Sequence, residues 1–170
     1  MKQPAPQVLL LDIETSPLIT ATYELFDTTI PYKWVLQEWF IICAAFKWEG
    51  GNKINTVSVL DDPRGWVKGQ YNDYCVVKSL HNAISEADVL VGHNMAAFDW
   101  KKFMARAIYH KLKPLNPPKI IDTLKEARKF KFTSNKLDSL CKHLGLERKI
   151  EHSSDMWLKI LRGDDSAVRE

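Results

Sequence analysis

Residues 8–11 read Val-Leu-Leu-Leu, and residues 12–14 follow at once as Asp-Ile-Glu. An apolar run this short, bounded by Pro4 and Pro6 before it and Ser16-Pro17 after it, fits a buried strand and is too short for a helix. The spacing predicts a strand over residues 7–12 with all three leucines buried. A strand of that kind needs packing partners around its sheet, which restricts the architectures open to the chain.

The segments downstream select among them. Residues 38–48 form a strongly apolar strand, Gly50-Gly51 is a turn signal, and residues 53–60 alternate as a second strand that Asp61-Asp62-Pro63 ends. Residues 72–86 carry apolar side chains at helical spacing, residues 87–91 form another short buried strand, and residues 98–109 return to helical spacing. After the prolines at 114, 117 and 118, residues 119–121 form a strand. Asp122 is placed to cap a helix from Thr123. Ser134 is placed to cap a second helix that Gly145 ends, and a last helix covers 154–161. Residues 18–37 show no clear period. Eight aromatic residues fall between Tyr23 and Trp48, and most are expected in strand core. The order predicts one α/β domain over residues 1–170, with a mixed central sheet (an antiparallel hairpin plus parallel strands) flanked by helices.

Composition narrows the function classes. No window of 18 apolar residues exists, so no membrane span is expected, and MKQPAPQ is not followed by the apolar stretch of a signal peptide. Cys43, Cys75 and Cys141 are odd in number and far apart, which fits free thiols and a cytoplasmic location. Net charge is +3, unevenly spread. Residues 100–150 hold 14 Lys/Arg against 4 Asp/Glu, whereas residues 1–99 hold 7 against 12. Such asymmetry suits a polyanionic partner; solvated helix faces produce it too.

Asp12 and Glu14 lie two positions apart, so a strand presents both on one face. Carboxylates that close repel and raise each other's pKa, and a divalent cation relieves the conflict. Oxygen-only donors fit a hard ion such as Mg²⁺ or Mn²⁺. A strand that merely ends in a polar turn has the same appearance. A second acidic signal occurs in VLVGHNMAAFD, residues 89–99. Gly92 lets the chain leave the sheet tightly, and Asp99 opens a helix, where negative charge also serves the helix dipole. Phe98 beside it is expected to face the core. His93 is either a ligand or, more commonly for a loop histidine, a structural hydrogen-bonding group.

DIET at 12–15, GHNMAAFD at 92–99, IIDTLKEAR at 120–128 and NKLDSLCKHLGL at 135–146 occur in this order over roughly residues 7–150. The set resembles the DnaQ-like 3′→5′ exonucleases, also called the DEDD family, in particular their stand-alone bacterial and phage members. The resemblance implies a ribonuclease H-like fold. It also implies a two-metal phosphodiester hydrolase that uses Mg²⁺ or Mn²⁺ on the 3′ ends of single-stranded DNA or RNA. By the same resemblance Asp12 bridges two cations, Glu14 ligates one and helps place the attacking water, and Asp99 holds the second. Thr15 lies near the terminal nucleotide, and Asn94 contacts substrate or orients the Asp99 loop. Asp122 matches no metal ligand of the family and reads as a helix cap.

The family's third motif, His-x4-Asp or Tyr-x3-Asp near the C-terminal end, is missing. No histidine has an aspartate five positions on, and Tyr23 with Asp27 precedes the second motif. The leading expectation is a chain cut short of that motif. The alternatives are a substitute ligand at Asp155, Asp164 or Asp165, or a nucleic-acid-binding module with impaired catalysis. Residues 125–136 (KEARKFKFTSNK) interleave basic residues with Phe130 and Phe132, which suits phosphate tracking and base stacking, or core packing of the rings. An aromatic side chain in the loop before Trp39 could likewise wedge against terminal bases.

Overall fold

The computed structural model describes residues 5–26, 29–62, 66–67, 70–148, 155–162 and 164–169. Strand β1 (Val8–Thr15) runs three residues beyond the predicted end. Its alternation is strict: Leu9, Leu11 and Ile13 are buried, while Leu10 is 41% exposed and Asp12 is exposed. The prediction of three buried leucines therefore fails at Leu10. Helical cover lies over the face of Leu9, Leu11 and Ile13, and the described residues leave the opposite face open at Leu10 and Asp12.

Residues after β1 stay outside the main sheet. β2 (Ile19–Thr20) pairs antiparallel with β3 (Val35–Gln37), with a 3₁₀ turn at Tyr32–Trp34 before β3. Tyr23, Phe26 and Tyr32 are 89%, 91% and 78% exposed, so the expectation of strand core does not hold for them. Tyr23 lies edge-on to Trp34 at 5.1 Å. Phe40 does enter the core, and Trp39, Phe46 and Trp48 pack against it.

β4 (Ile41–Trp48) turns through Gly50, whose φ of +74° suits glycine, into β5 (Asn55–Ser58). β5 stops earlier than predicted because Ser58 caps a 3₁₀ turn over Val59–Asp61. The Ser58 hydroxyl accepts from the Leu60 amide at 3.2 Å, and Asp61 accepts from the Ser58 amide at 2.7 Å. The short pair β6 (Trp66–Val67) and β7 (Gln70–Tyr71) precedes α1 (Tyr74–Ser85). Then come β8 (Val89–Gly92), α2 (Asp99–Tyr109), β9 (Lys119–Asp122), α3 (Thr123–Ala127), α4 (Leu137–Leu144), α5 (Met156–Leu161) and α6 (Asp165–Arg169).

The main sheet has the order β5-β4-β1-β8-β9. β5, β4 and β1 are antiparallel, and β1, β8 and β9 are parallel, as the mixed hairpin-plus-parallel pattern requires. The core lies between this sheet and helices α1 and α2, where Val76, Val77, Leu80, Ile84 and Phe103 are at most 2% exposed. Asp122 caps α3, accepting from the Leu124 amide at 3.0 Å, and Gly145 ends α4 with φ +68°. Ser134 does not cap α4. The helix starts two residues later than that cap requires, and the Ser134 hydroxyl accepts from the Lys136 amide in the turn ahead of it. The helix expected at 154–161 is found at 156–161, and residue 154 lies outside the described residues. Among the described residues, no helix is long and apolar enough to cross a membrane.

One buried polar cluster fastens the elements together. Asp73, fully buried at the start of α1, binds Arg106 of α2 through two bonds of 2.6 and 2.7 Å. It also binds His110 Nε2 at 2.6 Å and accepts from the Ile41 amide of β4 at 2.8 Å. A carboxylate this deeply buried needs such a set of partners.

Candidate active site

β1 presents Asp12 and Glu14 on its open face, opposite Ala45 and Cys43 of β4. The ladder shifts register between Glu14 and Thr15. Beyond the shift Ser16 anchors the chain, donating its amide to the Phe40 carbonyl at 2.9 Å and accepting from the Phe40 amide at 3.0 Å. Thr15 pairs with Ile41 and is not among the described residues that line the clefts beside the carboxylates.

Asp99 arrives from the neighbouring strand's exit. β8 lies parallel to β1, and Gly92 is where the chain turns away from it. A Cβ at Gly92 would fall 2.9 Å from the Leu11 carbonyl oxygen and 2.5 Å from the Met95 methyl carbon, so glycine is needed for this approach. Asn94 adopts φ +66°, and its carbonyl accepts from the amides of Ala97 and Phe98. Asp122 holds the same loop from β9, accepting from the amides of Asn94 (2.9 Å) and Ala96 (3.2 Å). Burial pushes the Asp122 acidity weaker, but the amides of Ala96, Asn94, Leu124 and Lys125 outweigh it and hold the carboxyl below its usual pKa. Asp122 is thus both the helix cap read from sequence and the clasp of the 94–98 loop.

The loop delivers Asp99, 3% exposed, to the first position of α2, where its Oδ1 accepts from the Ile13 amide at 3.2 Å. The side chain therefore sits against β1 between Asp12 and Glu14 in sequence. Burial, then the charge of Asp12, then that of Glu14 push its pKa up to about 6, against two backbone amides that lower it. The same two charges, behind burial, push the Cys43 thiol up to about 11.

Asp12, Glu14 and Asp99 line one cleft of about 640 Å³ together with Asn94 and Phe98. Phe98 is 38% exposed on the cleft wall rather than in the core, where sequence placed it. His93 also borders the cleft, but both ring nitrogens are engaged: Nδ1 with the Thr123 hydroxyl and Nε2 with the Asn135 carbonyl, each at 3.0 Å. It is a structural loop histidine here. Asp12 and Glu14 line a second cleft on the β4–β5 side, which Asp61 and Val168 of α6 also border.

Two further carboxylates line the first cleft, Asp138 and Glu147. Asp138 lies within the NKLDSLCKHLGL segment, which implied no metal ligand, and Glu147 lies just beyond it. Asp138 comes from the first turn of α4, and Arg148 folds back on it with two bonds of 3.0 and 2.7 Å. Of the residues offered as a substitute fourth ligand, Asp155 and Asp164 are not among the described residues that line either cleft, and Asp164 accepts from the Ser166 amide. The side chain of Asp165 lies outside the described residues.

The donors fit a hard cation in kind: oxygens only, in a concave site, with one carboxyl held at raised pKa by burial and by its neighbours' charge. Among the described residues, no three His, Cys, Asp or Glu groups close into a ready-made cage. The fit is therefore that of an open carboxylate wall, whose remaining ligand positions would fall to water and substrate.

A likeness to known proteins accompanies this geometry. A solved structure of the family B DNA polymerase from the hyperthermophilic archaeon Pyrobaculum calidifontis superposes with a TM-score of 0.59 at 15% identity, over 98% of this chain and 23% of the polymerase. At that identity the likeness shows the fold, and the chain spans under a quarter of the polymerase. No curated protein matches the sequence. The family RNase_H_2, described as RNase_H superfamily, matches residues 38–160, a span that contains Asp99 and begins after Asp12 and Glu14. With most of its length matched, the chain belongs to the RNase_H superfamily.

Proposed function

We propose that the chain is a divalent-metal-dependent nuclease of the DnaQ-like (DEDD) kind, removing nucleotides from the 3′ ends of single-stranded DNA or RNA. The observation that carries this is the meeting of Asp12, Glu14 and Asp99, from segments more than 80 residues apart, in one cleft where burial, with the charges of Asp12 and Glu14 behind it, raises the Asp99 pKa to about 6. Membership of the RNase_H superfamily supports a nuclease, and the likeness in fold to a DNA polymerase supports a nucleic-acid substrate.

In this reading Asp12, Glu14 and Asp99 would hold the cations, two ions of Mg²⁺ or Mn²⁺. When bound, such ions neutralise the phosphodiester charge and lower the pKa of attacking water. The chain's own part is to fix the oxygens. The Ile13 amide orients Asp99, the strand pleat keeps Asp12 and Glu14 on one face, and the Asp122 clasp sets the loop that carries Asn94 and Phe98. Asn94 and Phe98 then border the terminal nucleotide. Thr15 would act through its backbone.

The test is degradation of 5′- and 3′-labelled oligonucleotides with Mn²⁺, repeated with EDTA and with Asp12→Ala. A 3′→5′ ladder that EDTA and Asp12→Ala both abolish is expected; cleavage persisting in EDTA refutes the mechanism. The open carboxylate wall favours one second reading, a nucleic-acid-binding module with impaired catalysis. Binding that survives Asp12→Ala without turnover in either form would select it.

A further inference from the structure

The carboxylate cleft does not end at its own wall. Asp138 and Arg148 line it on one side and, on the other, line a separate groove of about 710 Å³. The groove is built from α4 and the segment before it, and its working residues are Phe132, Lys142, His143 and Arg148. Phe132 packs edge-on to His143 at 5.3 Å and against Phe130 at 5.9 Å, and Phe130 is itself 64% exposed. Lys142 and His143 lie in the last turn of α4, exposed.

Charge changes sign between the two spaces. The cleft is bordered by Asp12, Glu14, Asp99, Asp138 and Glu147, and of its described lining only Arg148 is a lysine or arginine. The groove brings Lys142 and the same Arg148 against a half-buried aromatic ring and one acidic residue, Asp138, which Arg148 already engages through two bonds. An acidic cleft repels a polyanion except where cations intervene. A basic groove with a ring attracts a phosphate chain and stacks its bases.

We infer that this groove seats the body of a single-stranded nucleic acid whose end lies at Asp12, Glu14 and Asp99, with Arg148 as the phosphate contact at the junction. Asp138 is a positioning residue: its two bonds hold the guanidinium at the shared wall. Stacking on Phe132 requires unpaired bases, so a duplex fits poorly. This rests on the carboxylate cleft being the hydrolytic site, and the two ideas fail separately.

The experiment is fluorescence anisotropy with labelled short oligothymidylate and oligouridylate, in EDTA so that no cleavage intervenes, over a salt series. Phe132→Ala should weaken binding by roughly 5- to 100-fold. Lys142→Ala and Arg148→Ala should each reduce the slope of log affinity against log salt by about 0.7. Lys53→Ala, in the β4–β5 turn at the far end of the sheet, should bind as wild type. Phe132 has packing partners, so circular dichroism checks its variant, while exposed Lys142 provides the variant that leaves the fold intact. Wild-type protein that fails to bind, Lys142 and Phe132 variants that bind unchanged, or tighter binding of the matching duplex would each overturn the groove. Binding that behaves as expected with no Mn²⁺-dependent cleavage leaves the groove standing and removes the hydrolytic reading. Cleavage that none of the groove variants alters does the reverse. The two probes tell DNA from RNA.

Discussion

The amide of Ile13 donates to Asp99 Oδ1 at 3.2 Å, joining residues 86 positions apart. Ile13 is the one residue between Asp12 and Glu14, and its own side chain is buried on the opposite face of β1. The strand pleat thus turns one backbone donor and two carboxylates toward the same helix terminus. Asp99 gains a bond that favours its charge and two neighbours that oppose it, and burial tips the balance toward the proton.

That balance predicts a pH dependence. A buried carboxyl whose pKa is raised to about 6 in the fold binds more protons there than in the unfolded chain. Its contribution to stability therefore falls as pH rises from about 4 to about 6, and the penalty is complete above that window. The size is on the order of 3 kcal/mol at 1.36 kcal/mol per pKa unit. Asp99→Asn should be more stable than wild type in urea with EDTA near neutral pH, and the difference should vanish near pH 4. Mn²⁺ at neutral pH should raise the wild-type Tm and leave the Asn variant unmoved. A wild-type chain as stable as the variant at both pH values would contradict the account.

Asp122 has the opposite sign. Backbone amides hold its carboxyl below the ordinary value, so it supports the fold above about pH 4 and loses that support as pH falls through its lowered pKa. Asp122→Ala removes the α3 cap and leaves the Asn94 and Ala96 amides without their acceptor. Together these should cost about 2–4 kcal/mol in urea denaturation. Because the freed loop also carries Phe98 into Asp99, the same variant should lose Mn²⁺ affinity by calorimetry; unchanged affinity would mean that the loop holds its shape without the clasp.

The strands and helices around the site were readable because their periods are local. β1, the β4–β5 hairpin and α2 each declare themselves within a dozen residues, and Asp12 with Glu14 follows from the two-residue period alone. The convergence of Asp99 on that pair is not local; only the order of motifs pointed to it. Asp138 and Glu147 escaped notice because each is a lone carboxylate, Asp138 brought to the cleft by the first turn of α4 and Glu147 by the chain beyond its end, which no periodicity encodes. The aromatic residues before Trp39 misled for a different reason. Ring content suggested strand, yet the segment forms one two-residue pair and leaves Tyr23 and Phe26 in solvent.

Gly92→Ala tests how tightly β8 must approach β1. The Met95 methyl end can move, but the Leu11 carbonyl, 2.9 Å from the added carbon, belongs to the strand that carries Asp12. Overpacking of this kind costs typically about 1–3 kcal/mol. The variant should unfold at lower urea, and adding Met95→Ala should recover only the side-chain part of the loss. Full recovery would show that the backbone contact is relaxed without strain.

The Asp73 cluster, invisible in the sequence because its members are 32 to 37 positions apart, makes the last prediction. Asp73→Ala leaves the Arg106 guanidinium, 8% exposed, without its carboxylate partner, along with the Ile41 amide. Breaking a buried pair from one side costs about 3–5 kcal/mol. Removing the stranded charge as well, in Asp73→Ala with Arg106→Met, should return part of that loss, because a flexible apolar chain fills the space without needing a partner. Urea midpoints of the wild type, both single variants and the double variant give the coupling directly. Additive losses would mean that Asp73 serves the fold through the Ile41 amide and His110 alone, and that α1 and α2 are held together by their apolar faces.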